Sequence, residues 1–421
     1  MKVCGIIAEY NPFHKGHLYH IEKTKELINY DYLIVVMSGN YTQRGLPAIF
    51  DKYERTNQAL AYGADLVLEL PAVFSTSSAE GFAFGAVSLL HKLNVCNFLS
   101  FGSETGKNDS LPELVSFLNS EPVEYKETLQ QFLKEGLNFP AAKEKALSYY
   151  FPKNILTSFN NSNNILALEY CRALNTFNSN IEPLWIKRKG NQYNDSELSK
   201  SGSFSSATSI RKHIKEHISK GIDFKALQND IQLKTALPEV FFSKSEVSLK
   251  SLSPIFPEDF SLLYRYCLLN HTPSSLISFE GISASLSDRI YGKLNEYKNF
   301  ETFCDLLKTK ELTYSRISRS LLHVLLGITK EDVKYYQNHG YCPYAKVLGF
   351  KKSSVSLLHE IKKQSSIPLI TKMASASVLL EAQDYFLFEK EIKASHIYES
   401  VKAEKYGLSF KNEYKKTPVI I

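Results

Sequence analysis

The sequence predicts an α/β fold, a Rossmann-like parallel-sheet domain followed by a mainly helical C-terminal domain. Three observations carry this. Short, continuously apolar, β-rich runs recur through the first 190 residues. Amphipathic helical patterns separate them. From about residue 235 the pattern is mostly helical.

The strand runs, in order, are VCGIIAEY (3–10), DYLIVVMSG (31–39), ADLVLELP (64–71), NVCNFLSFGS (94–103) and IEPLWIKRK (181–189). Between them lie LYHIEKTKELI (18–28), DKYERTNQALAYGA (51–64), AEGFAFGAVSLLHKL (79–93) and NNILALEYCRAL (163–174), each with helical spacing. Strands that are apolar throughout belong in a parallel sheet covered on both faces. The crossovers should be right-handed, and ligands bind at the carboxyl ends of such strands. A Ser-rich stretch, 190–209, ends the strand pattern, and the basic helix RKHIKEHISK (211–220) follows. Further helices are expected at 259–270, 287–297, 314–328 and 376–392. YAKVLGFKK (344–352) and IPLIT (367–371) are strand candidates among them. The pattern divides the chain into residues 1–220 and 221–421.

The chain has 421 residues, 43% hydrophobic and 22% charged, which suits two globular domains. No apolar run reaches bilayer length. MKVCGIIAEYNPF lacks the features of a signal peptide and reads as the first strand. A cytoplasmic protein with no membrane partner is expected. The six cysteines contain no CxxC and no disulfide framework. Charge is uneven. Residues 1–200 hold 19 Lys+Arg against 21 Asp+Glu, a balance of −2, and residues 201–421 hold 31 against 23, a balance of +8. The basic second half suits a polyanionic partner, and equally a generally basic surface.

NPFHKGHLYH (11–20) stands where the first strand ends and a helix begins. A helix start offers unpaired N–H groups and a favourable dipole to an anion. Gly16 lets backbone approach a phosphate without a Cβ. His14 and His17 can donate Nε2–H bonds to phosphoryl oxygens, and Lys15 adds charge. Catalysis of attack at phosphorus needs mainly such positioned donors. His14, His17 and His20 are also spaced like metal ligands, but no carboxylate or thiolate completes a set. Glu9 is the carboxylate beside the loop, suited to Mg²⁺ or to orienting a histidine. No GxxxxGK[ST] loop is present, which excludes P-loop chemistry.

SSATSIRKHI (205–214) opens a helix with small hydroxyl residues and places Arg211 in its first turns. This is either a second anion trap with a guanidinium fork or an ordinary cap with a surface Arg. QRG (43–45) is either a phosphate or RNA contact or a plain turn. TKMASASV (371–378) reads as a helix start. In KTKELTYSRISRSLLHV (308–324), Arg316 and Arg319 share a helix face near Lys310 and Tyr314. That set suits phosphate contact and stacking with RNA, which Lys346, Lys351, Lys352, Lys362 and Lys363 could extend.

The strand–HxGH–helix opening resembles the nucleotidyltransferase superfamily that includes class I aminoacyl-tRNA synthetases. The likeness extends through GIIAEYNPFHKGHLYHI (5–21), MSGNYTQRGLPAIFDKYERTNQAL (37–60), GADLVLELP (63–71), FGSE (101–104), SNNILALEY (162–170) and IKRKG (186–190). These motifs resemble the tRNA(Met) cytidine acetate ligase family over most of the first 220 residues. The resemblance implies a ligase that makes acetyl-adenylate from ATP and acetate, then acetylates N4 of the wobble cytidine of elongator tRNA(Met). It implies ATP contacts at Ile7, Ala8, Glu9, Tyr10, Asn11, Pro12, Phe13, His14, Lys15, Gly16, His17, Leu18, Tyr19 and His20. It adds Gly102, Lys187, Arg188 and one of Asn163 and Asn164, the other being a candidate N-cap. On this reading His14, Lys15, His17 and Arg211 are catalytic, Mg²⁺ bridges the phosphates, and residues 221–421 bind tRNA through Lys310, Arg316 and Arg319. Two alternatives stay open: an adenylyltransferase acting on a phosphorylated small molecule, and a non-catalytic RNA-binding protein with this fold.

Overall fold

The computed structural model describes residues 1–104, 106, 111–137, 139–158, 162–188, 204–221, 227, 229–242 and 253–421. Lys189 and residues 190–203 of the Ser-rich stretch lie outside them. Strands β1 (Val3–Ala8), β2 (Tyr32–Ser38), β3 (Leu66–Leu70), β4 (Phe98–Ser103) and β5 (Glu182–Lys187) form the expected parallel sheet in the order β5-β4-β1-β2-β3. Cys4 pairs with Leu33 of β2 and Phe98 of β4, so β1 is central. Successive residues face opposite sides of a sheet. Ile34, Val36, Leu66 and Leu68 enter one apolar cluster, and Leu33, Val35, Met37 and Val67 another. Burial on both faces is why these runs carry no polar alternation.

Helices α1 (Lys15–Ile28) and α2 (Lys52–Ala61) cover one face through Ile21, Ala59 and Leu60. Helices α3 (Ala79–Lys92) and α4 (Ser162–Thr176) cover the other, through residues such as Val87, Leu90, Ala167 and Leu168. The chain leaves β1 for β2 on one side, while β4 pairs on the other. The crevice at the carboxyl ends of β1 and β4 is therefore the topological switch point where ligands bind. Four further helices, Leu111–Ser120, Val123–Lys134, Phe139–Leu147 and Lys153–Ser158, lie between β4 and α4.

Beyond α5 (Ala207–Ser219) and α6 (Ile231–Ala236) the chain is mainly helical. It contains α7 (Ser261–Leu269), α8 (Ala284–Lys293), α9 (Phe300–Leu307), α10 (Tyr314–Leu326), α11 (Lys330–Asn338), α12 (Val355–Gln364) and α13 (Ala382–Tyr406). The two late strand candidates are real, and they extend the first sheet. β6 (Ala345–Phe350) pairs antiparallel with β3, and β7 (Leu369–Ile370) and β8 (Val419–Ile420) flank β6. The sheet is therefore mixed. β6 covers the otherwise open edge of β3, and one apolar cluster runs from Val3 to Val401.

Lys346, grouped above with surface lysines, is fully buried on β6. Its register partner is Glu69 of β3. Lys346 Nζ lies 2.7 Å from Glu69 and 2.9 Å from Glu413. Lys52 Nζ lies 2.7 Å from each of the same carboxylates. Two ammonium groups thus share two carboxylates inside the protein, and Lys346 is not part of an RNA surface. No helix among the described residues is long and apolar enough to cross a membrane.

Candidate active site

α1 begins at Lys15, so the histidine motif is the helix start itself. His14 is the N-cap, and its Nδ1 accepts the Gly16 N–H at 3.0 Å. His17, in the first turn, accepts the His14 N–H on its own Nδ1 at 3.3 Å. A neutral imidazole that accepts at Nδ1 carries its proton on Nε2. Reciprocal capping thus assigns a donor N–H to the other nitrogen of both rings. The rings stack with centroids 3.8 Å apart, and both line one cleft. Gly16 has a second reason to be glycine: a Cβ there would stand 2.8 Å from His14 Cε1.

The histidines are not cations at neutral pH. Burial, then Arg188 and Arg211, lower His14 to about 3. Burial, then His14, Arg188 and His20, hold His17 well below the usual imidazole range. Burial and Arg188 lower His20 to about 4. His20 Nε2 bonds Ser100 Oγ at 2.9 Å, which ties α1 to β4. Fixed positive charge in the cleft comes instead from Arg188 and Arg211. Arg211 Nη1 donates to the Asn11 carbonyl at 2.6 Å and Nη2 to Thr208 Oγ1 at 3.1 Å. Its helix α5 is capped by Ser206, whose Oγ accepts the Ser209 N–H. Two helix starts therefore face one cleft.

That cleft, about 210 Å³, is lined by Ile7, Ala8, Glu9, Tyr10, Asn11, His14, Gly16, His17, Tyr19 and His20 from the first segment. Gly102, Asn163, Arg188 and Arg211 join them. Pro12, Phe13, Lys15, Leu18, Asn164 and Lys187 do not line it. Phe13 is buried and stacks on Tyr62. Lys15 Nζ donates to the Lys234 carbonyl at 3.0 Å, and Lys187 is exposed. Asn163 and Asn164 both lie inside the first turn of α4, so neither is its N-cap. Asn164 is buried and accepts from Ser103 Oγ and the Glu104 N–H, which shapes the end of β4. Asn163 faces the cleft, with Nδ2 on Glu104 Oε1 at 2.6 Å. Among the described residues a second cavity, beneath α13, is only about 10 Å³.

Arg55 escaped the sequence reading. It is fully buried in α2. Its guanidinium donates to the carbonyls of Phe50, Glu9 and Ser38 at 3.0, 2.6 and 3.0 Å, and to that of Gly39. It thereby fixes the segments leaving β1 and β2, where the cleft begins. Its only sequence signal was a charge on the helix DKYERTNQAL, whose acceptors are backbone carbonyls that no pattern displays. Of the proposed RNA residues, Lys310 and Arg316 are exposed and Arg319 is half-buried. The QRG turn packs against the helix that carries the two arginines: Ser318 Oγ donates to the Gly45 carbonyl at 2.9 Å. Gln43 of the same turn lines the cleft, and its N–H donates to Glu9 Oε1 at 2.8 Å.

A family model described as HIGH Nucleotidyl Transferase matches residues 1–413. The chain is 43% identical to the tRNA(Met) cytidine acetate ligase of Thermoanaerobacter sp. (strain X514), over 94% of this chain and 95% of that one. It is 37% identical to the Clostridium novyi (strain NT) protein of the same name, over the full length of both. Among solved structures it is similar to Thermotoga maritima TmcAL in its apo form, with 31% identity, full coverage of both chains and a TM-score of 0.90. It is similar also to the same protein bound with alpha-thio ATP, with 31% identity, coverage of 100% of this chain and 99% of that one, and a TM-score of 0.87. The chain belongs to the HIGH nucleotidyl transferase family and, within it, to the tRNA(Met) cytidine acetate ligases.

Proposed function

We propose that this protein is an ATP-dependent ligase that activates acetate as acetyl-adenylate and transfers the acetyl group to N4 of a cytidine in elongator tRNA(Met). The observation that carries the reading is the cleft itself. Two neutral histidines with Nε2–H groups, two guanidinium groups and two helix starts converge at the switch point of the sheet. ATP lies with its phosphates along the start of α1. An acetate oxygen attacks the α-phosphorus, and the bond to the bridging oxygen of the β-phosphate breaks. His14 and His17 donate to the phosphoryl oxygens, and Arg188 and Arg211 oppose the charge on the departing pyrophosphate. The cytidine amine then attacks the acetyl carbon and AMP leaves. Lys15 and Lys187 approach the nucleotide only if their side chains turn. Glu9 lines the cleft, and one carboxylate beside substrate phosphates is the donor set that Mg²⁺ uses. Bound there, Mg²⁺ supplies charge neutralisation of the phosphates.

The same reading divides the labour near residue 220, with nucleotide chemistry before it and tRNA binding after it. Lys310, Arg316 and Arg319 contact the tRNA backbone, and the QRG turn, seated on α10 with Gln43 in the cleft, leads from that surface toward the adenylate. A cytoplasmic setting supplies both ATP and tRNA. The test is incubation with ATP, labelled acetate and bulk tRNA. Label on cytidine of one tRNA is expected. Label released only in a small-molecule adenylate, or no ATP turnover beside intact tRNA binding, overturns the proposal.

A further inference from the structure

Outside the cleft, one cluster of side chains has the composition of a metal site. His213 and His217 stand four residues apart on α5, hence on one face. Asp230 caps α6, and its two oxygens have separate duties. Oδ1 accepts the Leu233 N–H at 3.0 Å. Oδ2 lies 2.8 Å from His213 Nε2 and 3.5 Å from His217 Nε2. The three ligand atoms all lie within 4.8 Å of one another, and all three residues are half-buried.

His217 carries the argument. Its Nδ1 lies 2.9 Å from the His213 carbonyl. A carbonyl can only accept, so Nδ1 bears the proton, and the neutral ring has its lone pair on Nε2. That lone pair is turned toward a carboxylate oxygen, a poor arrangement for two acceptors and a good one for two ligands of one cation. Imidazoles that bind metals characteristically give their other N–H to a backbone carbonyl. Bonds of about 2.0–2.2 Å in a tetrahedral set place neighbouring donor atoms roughly 3.3–3.6 Å apart. The His217 distance to Asp230 Oδ2, 3.5 Å, falls in that range, and the His213 distance, 2.8 Å, is that of the hydrogen bond a metal would replace. On metal binding, the His213 proton moves to its own Nδ1, which frees Nε2.

We propose that His213, His217 and Asp230 form a site for a divalent transition-metal cation of the zinc class, with water completing the shell. Two imidazoles and one carboxylate suit zinc better than the hard, all-oxygen shell of magnesium. The site fastens α5, which carries Arg211 and Ser206 to the cleft, onto the start of α6. It is independent of the nucleotide reading. In the test, the full chain is stripped with chelator and titrated with Co²⁺, then with Zn²⁺. One equivalent of Co²⁺ with visible d–d bands, no thiolate charge-transfer band, and displacement by Zn²⁺ is expected. Zn²⁺ raises the unfolding temperature. His217→Ala lowers the affinity at least about tenfold. Asp230→Asn keeps the helix cap through its amide oxygen, and lowers affinity likewise. Absent uptake, a thiolate band, or variants that bind as tightly as the parent overturn the proposal.

Discussion

His17 fixes its Nδ1 on the His14 backbone N–H, which leaves Nε2–H for a phosphoryl oxygen. His17→Ala removes one preorganised donor from a buried site. Acetate-dependent exchange of pyrophosphate into ATP should fall by about 10²–10³-fold, measured at saturating ATP. Ionisation gives a second expectation. An unfolded imidazole titrates near 6.5, whereas His14 titrates at about 3, and His20 at about 4, because burial opposes the charged form. Between those values the unfolded chain binds protons that the folded chain does not. The contribution of these two histidines to stability is therefore complete above pH 6.5 and is lost as pH falls toward 3. Unfolding temperatures at pH 7.5, 5.5 and 4.5 check this, and His20→Asn should make the decline shallower. The motif HKGH was legible because a strand, a glycine and a helix adjoin in sequence. Its neutrality was not, since burial, and then the nearby Arg188 and Arg211, come to the histidines only through the fold.

At the scale of elements, the contact between the QRG turn and α10 joins the two halves of the chain. Gly45 has φ +72°, and a Cβ there would stand 2.4 Å from the Arg319 backbone nitrogen. Backbone cannot yield as a side chain can. Gly45→Ala should cost about 1–3 kcal/mol in denaturant unfolding. On the same helix, Arg316→Glu should weaken tRNA binding and reduce the slope of log K against log salt by about one. The five parallel strands were readable as apolar runs because both faces of each are covered. Helix starts were legible where the caps were: the hydroxyl residues of SSATSI announced the start of α5, whereas α1 begins three residues before its apolar periodicity does, since a polar cap and not burial sets its first turn. β6 was visible as a strand, but its partner was not. Its register with β3 joins residues some 280 positions apart.

At the scale of the molecule, the sheet closes over a buried charge cluster contributed by both halves. Lys52 and Glu69 come from the first half, Lys346 and Glu413 from the second. Removing one partner strands the others, so Lys346→Met should destabilise by about 3–5 kcal/mol. Lys346 looked like a surface lysine because only the folded chain shows its carboxylates. Glu391 of α13 stands beside this cluster and accepts the Ala72 N–H at 2.5 Å. Burial, and then Glu69, raise it to about 8 from 4.5. The folded chain retains a proton across that interval that the unfolded chain has lost, so this group costs stability as pH rises from 4.5 to 8. Glu391→Gln should abolish that part of the loss, seen as a flatter melting temperature between pH 6 and 8.

The central claim is that the starts of α1 and α5 hold the phosphates of ATP. A crystal structure with a non-hydrolysable ATP analogue tests it most directly. The expected result places the α-phosphate within hydrogen-bond reach of His14 and His17 Nε2, with the terminal phosphates toward Ser206 and Arg211. A nucleotide bound elsewhere, or held in the cleft with both imidazoles turned from its phosphates, would contradict the account.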